Sequence, residues 1–410
     1  MTCIALVLIL LSLCGCARES LKAPDSDPAP EQSAPEEIVT PEKPDSSGDI
    51  LPPEKPSSQD EIAVPEEPSD SNETATPEEP SDPMDEIYPI ETPEDAAKIL
   101  EQAYEQMIPQ LTFAFTEQEL SLQERSIFLQ NASNQVIAQR QELKYAYQLE
   151  CEDSADGTVC KILYMPYKLG YPDGIPEDAA EVYALSDLIR IANQNLGQDE
   201  ISIAIRNPDL LVDDMQRALQ LAGYGYIIYQ LSSDATSLRA YPSDFKTLEQ
   251  CTEAIADLKD LAHTIAGEIF TDDMDDTAKL RAIYGCITSN TTYDNRYYQA
   301  PETLPYESRT AYGPLKYGTA ICGGFSWAFN MLCEEAGIPC WNVTGTGTGD
   351  THMWNCALID GAYRYFDTTW DAGASDAQQW RYFARTEDEI TQDHQWGIGQ
   401  EELMHALTEA

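Results

Sequence analysis

The chain has 410 residues, with 24 Lys and Arg against 72 Asp and Glu, for a formal net charge of −48. A surplus of acid this large excludes nucleic acid as a partner, because phosphate binding needs clustered Lys and Arg. It also excludes docking to an anionic membrane through a basic face. The length allows roughly two to three domains. Ile4 to Leu13 forms a short apolar run. It falls well under the ~20 residues that cross a bilayer.

That run ends in Leu13-Cys14-Gly15-Cys16, which resembles the lipobox of bacterial lipoproteins. The resemblance implies a signal peptide over 1–15 and a diacylated Cys16 as the first mature residue. It also implies export, with anchoring to the outer face of the bacterial cytoplasmic membrane or to another extracytoplasmic membrane, where two acyl chains hold stably and one is marginal. The n-region Met1-Thr2-Cys3 departs from the pattern by carrying no Lys or Arg.

Residues 16–92 read as a disordered acidic linker. Pro-Glu-Lys-Pro begins at Pro41 and Pro53, and Pro-Glu-Glu-Pro at Pro65 and Pro77. Residues 17–92 carry 22 acidic and 4 basic side chains. Such a composition buries too little apolar surface to offset chain entropy. Proline and like charges stretch the chain, giving a spacer of about 50 Å as a coil to about 230 Å when extended.

Residues 93–243 read as a duplicated α/β region, with repeats at about 93–167 and 176–243. Pro93-Glu94-Asp95-Ala96-Ala97 recurs as Pro176-Glu177-Asp178-Ala179-Ala180. Each copy is expected to open a helix, since Pro and acid suit a first turn. A strand (Leu111–Phe115 or Ile201–Ile205), a second helix and two strands follow. In the second copy Leu211, Met215, Ala218, Leu219 and Ala222 form one stripe, stopped by Gly223. Tyr-Gln-Leu sits inside a strand at Tyr147–Leu149 and again at Tyr229–Leu231. The region carries no His, so it reads as a scaffold or a surface that grips a substrate or partner. Cys151 and Cys160 flank a turn between strands and stand either bridged or free.

The chemistry-bearing residues lie further on. Helices are expected from Thr247 to about Phe270 and from Asp275 to Ser289. Asp272, Asp273, Asp275 and Asp276 lack the spacing of a calcium loop and suit the second helix's N-terminus. His263 reads as a surface or packing residue. Phe325, Ala328, Phe329, Leu332 and Ala336 place a helix that ends at Gly337, with Cys322 in or just before its first turn. A helix N-terminus and a neighbouring imidazolium both favour a thiolate, the nucleophilic form of cysteine. Gly323 and Gly324 leave room for a substrate backbone.

His352–Ile359 reads as a strand, Asp360-Gly361 as a two-residue hairpin loop and Ala362–Asp367 as the return strand. With Ile359 opposite Ala362, His352 and Asp367 become diagonal neighbours on one face. His352 can then serve Cys322 as general base, with Asp367 fixing the ring. The Thr344–Asp350 segment, rich in Gly, reads as a mobile rim. Trp341, Trp354 and Trp370 flank these segments, as core residues or as a wall that keeps water from a thioester. His394 reads as structural. No Cys-x-x-Cys, His-Glu-x-x-His or EF-hand loop is present, so neither metal nor cofactor is expected.

Gly318–Phe325, Thr351–Asn355 and Tyr365–Asp371 resemble three motifs of the bacterial transglutaminase-like superfamily, in the same order. Thr291–Asp294 and Thr310–Gly313 match its upstream elements. The resemblance spans about 245–400 and implies a papain-like α+β fold. It implies Cys322 as nucleophile, His352 as base and Asp367 as its orienter. Cys322's backbone N–H would form the oxyanion site, with Tyr312, Gly323 and Trp354 as candidate lining. The substrate would be a protein or peptide amide, cell-wall associated in an exported protein. Hydrolysis and amine transfer use the same triad, so the residues do not choose between them. The alternative is a cell-surface binding module that keeps the fold without catalysis.

Overall fold

The computed structural model describes residues 86–116, 120–244, 246–374 and 380–408. The expected signal peptide, Cys16 and nearly all of the expected linker fall outside the described residues. Those described belong to one compact unit, Thr76–Ala410.

The first repeat runs β1 (Ile87–Ile90), α1 (Pro93–Glu105), β2 (Gln110–Phe115), α2 (Leu122–Gln139), β3 (Ala146–Ser154) and β4 (Gly157–Tyr164). The second runs β5 (Ala180–Val182), α3 (Leu185–Gln194), β6 (Glu200–Ile205), α4 (Val212–Leu219), β7 (Ile227–Leu231) and β8 (Ser237–Pro242). Their sheets have matching orders, β1-β2-β4-β3 and β5-β6-β8-β7. In each, the first pair is parallel and the others antiparallel. The two sheets therefore share one topology.

Its register differs from the sequence expectation. Each repeat opens with an edge strand, and β1 lies inside the stretch read as linker. Pro89 hides β1 in the sequence, yet an edge strand tolerates a residue that cannot donate to the ladder. The Pro93 motif does open a helix: Thr92 and Asp95 form a capping box. The Pro176 motif does not. Its Ala180 starts β5, and the helix begins at Leu185. There Asp187 Oδ2 accepts the N–H groups of Tyr183 and Ala184 at 2.9 and 3.1 Å. The α4 stripe loses Leu211, which is exposed, and keeps Met215, Ala218 and Leu219. Cys151 and Cys160 face each other across β3 and β4 as free thiols, with sulfurs 3.6 Å apart.

The C-terminal part begins with α5 (Leu248–Ile269), capped by Thr247, and α6 (Asp276–Asn290), capped by Asp275. A two-stranded pair follows, β9 (Thr292–Tyr293) with β10 (Thr319–Ala320). Helix α7 (Cys322–Ala336) then packs on a sheet of order β13-β12-β11-β14. Its strands are β11 (Cys340–Gly347), β12 (Asp350–Ile359), β13 (Ala362–Phe366) and β14 (His394–Trp396). Phe325, Ala328, Phe329 and Leu332 are fully buried, and Phe329 stacks on Phe366 at 5.1 Å. The proposed rim is instead regular: Thr344–Gly347 continues β11, and Thr348-Gly349 turns the chain into β12. The last helix is α8 (Gln400–Thr408).

The second repeat meets this domain at the turn before β7. Tyr224 Oη donates to Glu334 on α7 at 3.0 Å, and Tyr226 Oη lies 3.1 Å from Thr310 Oγ1. Gly225, at φ +78°, leaves space for the Trp327 indole; a Cβ there would meet it at 3.0 Å.

Candidate active site

The segment before Cys322 is held by backbone and buried charge. Asp294 N–H donates to Ala320 O at 2.8 Å, and Ile321 N–H to Ser308 O at 2.9 Å. Asp294 accepts from Ser308 Oγ at 2.6 Å and from Arg296 at 2.7 and 2.8 Å. The Arg296 guanidinium holds the Asp294 carboxyl down at about 2. Gly324 is needed here for packing: a Cβ would meet Ser308 O at 2.6 Å and Thr310 O at 2.9 Å. The room expected for a substrate backbone is thus filled at Gly324 by the protein's own chain. Gly323 is looser, with Arg309 O the nearest atom to a Cβ at 3.4 Å.

Cys322 is the first residue of α7 and half-buried. Its N-cap is Ile321, which offers no side-chain acceptor. By contrast α1, α2 and α5 carry capping boxes. The first-turn N–H groups of α7 are therefore not claimed by a cap, and they concentrate positive potential beside the sulfur.

His352 enters from β12. The hairpin has the expected two-residue loop, Asp360 at φ +51° and Gly361 at +73°, with Ile359 opposite Ala362. His352 Nε2 lies 2.8 Å from Asp367 Oδ2. The Cys322 side chain is close enough to favour the charged ring, and with Nε2 turned to Asp367 the nitrogen left to serve the sulfur is Nδ1. Burial disfavours a charged ring, but the Asp367 carboxylate and the Cys322 sulfur outweigh it and push the imidazole up to about 10. Asp367 is fully buried. Burial alone would raise its carboxyl, yet the rings of His352 and His394 hold it below the usual carboxylate range. Its Oδ1 accepts the N–H groups of Thr369 and Trp370 at 2.9 and 3.3 Å.

Aromatic rings set the position of His352. Trp370 stacks on it at 5.3 Å and Trp354 at 6.0 Å. Gly347 permits this: a Cβ would come within 2.6 Å of Trp370 and 3.2 Å of His352. Tyr284 on α6 ties the turn from behind, its Oη lying 2.8 Å from Asp367 O and 2.6 Å from Asp371 Oδ2. Tyr312 has a different partner: its hydroxyl reaches Asp257 on α5 at 3.5 Å, and the Lys316 ammonium lies over its ring. His263 is exposed and pairs with Glu335 at 2.9 Å.

Sequence reasoning missed His394. It is buried, with Nε2 3.2 Å from Asp367 Oδ2 and Nδ1 2.8 Å from Asp393 Oδ1. Only its pairing through β14 to Gly347 brings it there. Asp294 and Gly347 were also missed, because their roles depend on contacts distant in sequence.

Among the described residues, His352, Asp367 and His394 have ligand atoms within 4.8 Å of one another, spacing that suits a metal ion. A metal there would take Nε2 of His352 from Asp367, so metal binding and the oriented imidazole are alternatives.

Residues 263–368 match the family model of the transglutaminase-like superfamily. The C-terminal part of this chain is a transglutaminase-like domain. Kyphoscoliosis peptidase of Mus musculus is 24% identical over 160 residues, covering 35% of this chain and 23% of that protein. The Homo sapiens protein of that name is 27% identical over 154 residues, covering 34% and 21%. The chain thus spans less than a quarter of the length of these curated relatives. A solved structure of a TGase overlaps 55% of this chain and 64% of its own, with 15% identity and a TM-score of 0.23. The transglutaminase-like match ends at Thr368, one residue past Asp367 and well before His394.

Proposed function

We propose that the transglutaminase-like domain is a thiol enzyme that cleaves or transfers protein or peptide acyl groups through Cys322, His352 and Asp367. The observation that carries this is the buried imidazole shared between a helix-N-terminal sulfur and a carboxylate. In this reading Cys322 Sγ attacks an amide carbonyl carbon. The developing oxyanion meets the uncapped N–H groups at the start of α7, Cys322's own among them. His352 gives its proton to the leaving nitrogen, the C–N bond breaks and a thioester remains. Water then attacks the thioester, returns a proton to His352 and releases the acid; an amine in its place gives a new amide. The name of the curated relatives, peptidase, sides with hydrolysis.

The same reading sets the protein outside the cytoplasmic membrane, anchored through Cys16, with the acidic linker as spacer and cell-wall-associated peptide as substrate. The test is to incubate wild type and Cys322→Ala with a Gln-containing peptide and a labelled amine. Cys322-dependent cleavage indicates hydrolysis, and Cys322-dependent label indicates transfer. Equal product from both proteins overturns the proposal. Palmitate labelling in cells, lost in Cys16→Ala, tests the anchor.

A further inference from the structure

His394 is the one histidine at the site that the triad does not use. It stands on the edge strand β14, paired with β11 through Gly347. Its ring is 1% exposed and packs against Trp370 at 4.3 Å, Trp354 at 4.8 Å and Tyr382 at 5.7 Å. So large an aromatic cage is not needed to seat a polar ring for packing alone; Phe would fill it without two nitrogens to satisfy.

Both nitrogens are directed at carboxylates. Nε2 faces Asp367 Oδ2 at 3.2 Å and Nδ1 faces Asp393 Oδ1 at 2.8 Å. Carboxylate oxygens only accept, so a ring nitrogen that bonds one of them does so by donating. Asp393 is itself fixed: Tyr382 Oη donates to its Oδ2 at 2.7 Å, and Arg381 lies 3.6 Å from the same oxygen. The order of groups is Arg381, Asp393, His394, Asp367, His352 and Cys322, with basic and acidic members alternating.

We propose that His394, anchored by Asp393, is a positioning residue for the thiol pair: it holds Asp367 Oδ2 in the place from which that oxygen orients His352 toward Cys322. Asp367 then carries two donors on each oxygen. Thr369 and Trp370 N–H groups hold Oδ1, and the two imidazoles hold Oδ2. Without His394, Oδ2 has the His352 ring alone, and the carboxylate and ring are free to tilt together. The charged and titratable groups around His394 are Asp367, Asp393 and Tyr382 directly, His352 across Asp367, and Arg381 across Asp393.

This inference rests on the thiol-enzyme reading, and the experiment separates the two. Alkylation by iodoacetamide is followed at the Cys322 peptide by mass spectrometry across pH, together with kcat and KM for the Gln peptide. His394→Phe keeps the cage filled and removes both donors. His394→Gln keeps an amide that can donate to Asp367. In His394→Phe, kcat and the Cys322 alkylation rate at pH 6 fall about 10- to 100-fold with KM within about twofold, as when an outer partner of a working imidazole is lost. His394→Gln recovers kcat to within about threefold of wild type. Asp393→Asn, which leaves the cage intact, shows a smaller loss in the same direction should His394→Phe fail to fold.

Wild-type rates in His394→Phe, or equal losses in the Phe and Gln variants at equal thermal stability, overturn the proposal and leave the enzyme reading standing. A wild-type Cys322 no faster at pH 6 than the thiols of the urea-unfolded chain overturns both.

Discussion

The two halves of the described molecule bury polarity in different ways. In the duplicated region the buried polar side chains are neutral: Thr112, Ser133, Thr158 and Ser237. Within that region buried tyrosines give their hydroxyls to main-chain carbonyls or a serine, as Tyr229 does to Ala192 at 2.9 Å and Tyr104 to Ser133 at 2.7 Å; Tyr224 and Tyr226 reach across to Glu334 and Thr310 instead. Its charges pair at the surface, where Arg140 gathers Glu101, Glu105 and Glu142. In the transglutaminase-like domain the buried set includes Asp294, His352, Asp367, Asp371 and His394. Burying an ionised group costs several kcal/mol before pairing recovers it. A fold that needs only stability does without such groups, as the repeats do. Their concentration in one half marks the candidate site.

Substitutions can break this contrast, and the largest effect is expected at its centre. Asp367→Asn keeps the side-chain shape but removes the charge between two imidazoles. It should lower kcat/KM for the Gln peptide by about 10²–10⁴. It should also cost about 3–5 kcal/mol in urea unfolding, the penalty for stranding a buried partner. Wild-type turnover in this variant would remove Asp367 from the mechanism.

Next comes the pH dependence of stability. The His352 imidazole is raised from 6.5 to about 10, so the folded state holds its proton more tightly. Its contribution is fully present below about pH 6.5 and is lost as pH rises through about 10. Asp367 is lowered, so its contribution is present above the usual carboxylate value and is lost as pH falls through its depressed one. Melting curves should therefore show Tm falling from pH 7 to 10 in wild type, with a shallower fall in Asp367→Asn. A flat Tm in wild type would contradict the paired imidazolium.

Gly347→Ala follows. Its Cβ has no space beside Trp370 and His352, so either the rings shift or the strand does. A loss of about 1–3 kcal/mol is expected, with slower alkylation of Cys322. The smallest effect belongs to the other half. Tyr229→Phe should cost about 1 kcal/mol, equally at pH 6 and pH 9, and leave Cys322 alkylation unchanged. A pH-dependent loss there would mean that the repeats are electrically coupled to the site after all.

Periodicity and local chemistry were enough to find much of this architecture. The stripe from Phe325 to Ala336 placed α7, and Gly337 ended it at φ +73°. Asp360-Gly361 fixed the hairpin register, and register alone put His352 beside Asp367. Both inferences rest on short-range rules: a helix repeats every 3.6 residues, a strand every two, and a two-residue loop admits one pairing. The edge strands β1 and β5 escaped those rules. They are four and three residues long, and they exist because a neighbouring strand supplies hydrogen bonds.

The sequence by itself determined the helix that Cys322 opens, the strand that carries His352 and the hairpin joining that strand to Asp367, because each follows from contacts within a few residues or across one turn. Only the tertiary structure decided that β14 crosses back to β11 and sets His394 on Asp367, that Asp294 fastens the chain ahead of Cys322, and that Gly324's space is already filled. Those outcomes depend on which distant segments share a buried volume, and no local spacing carries that information.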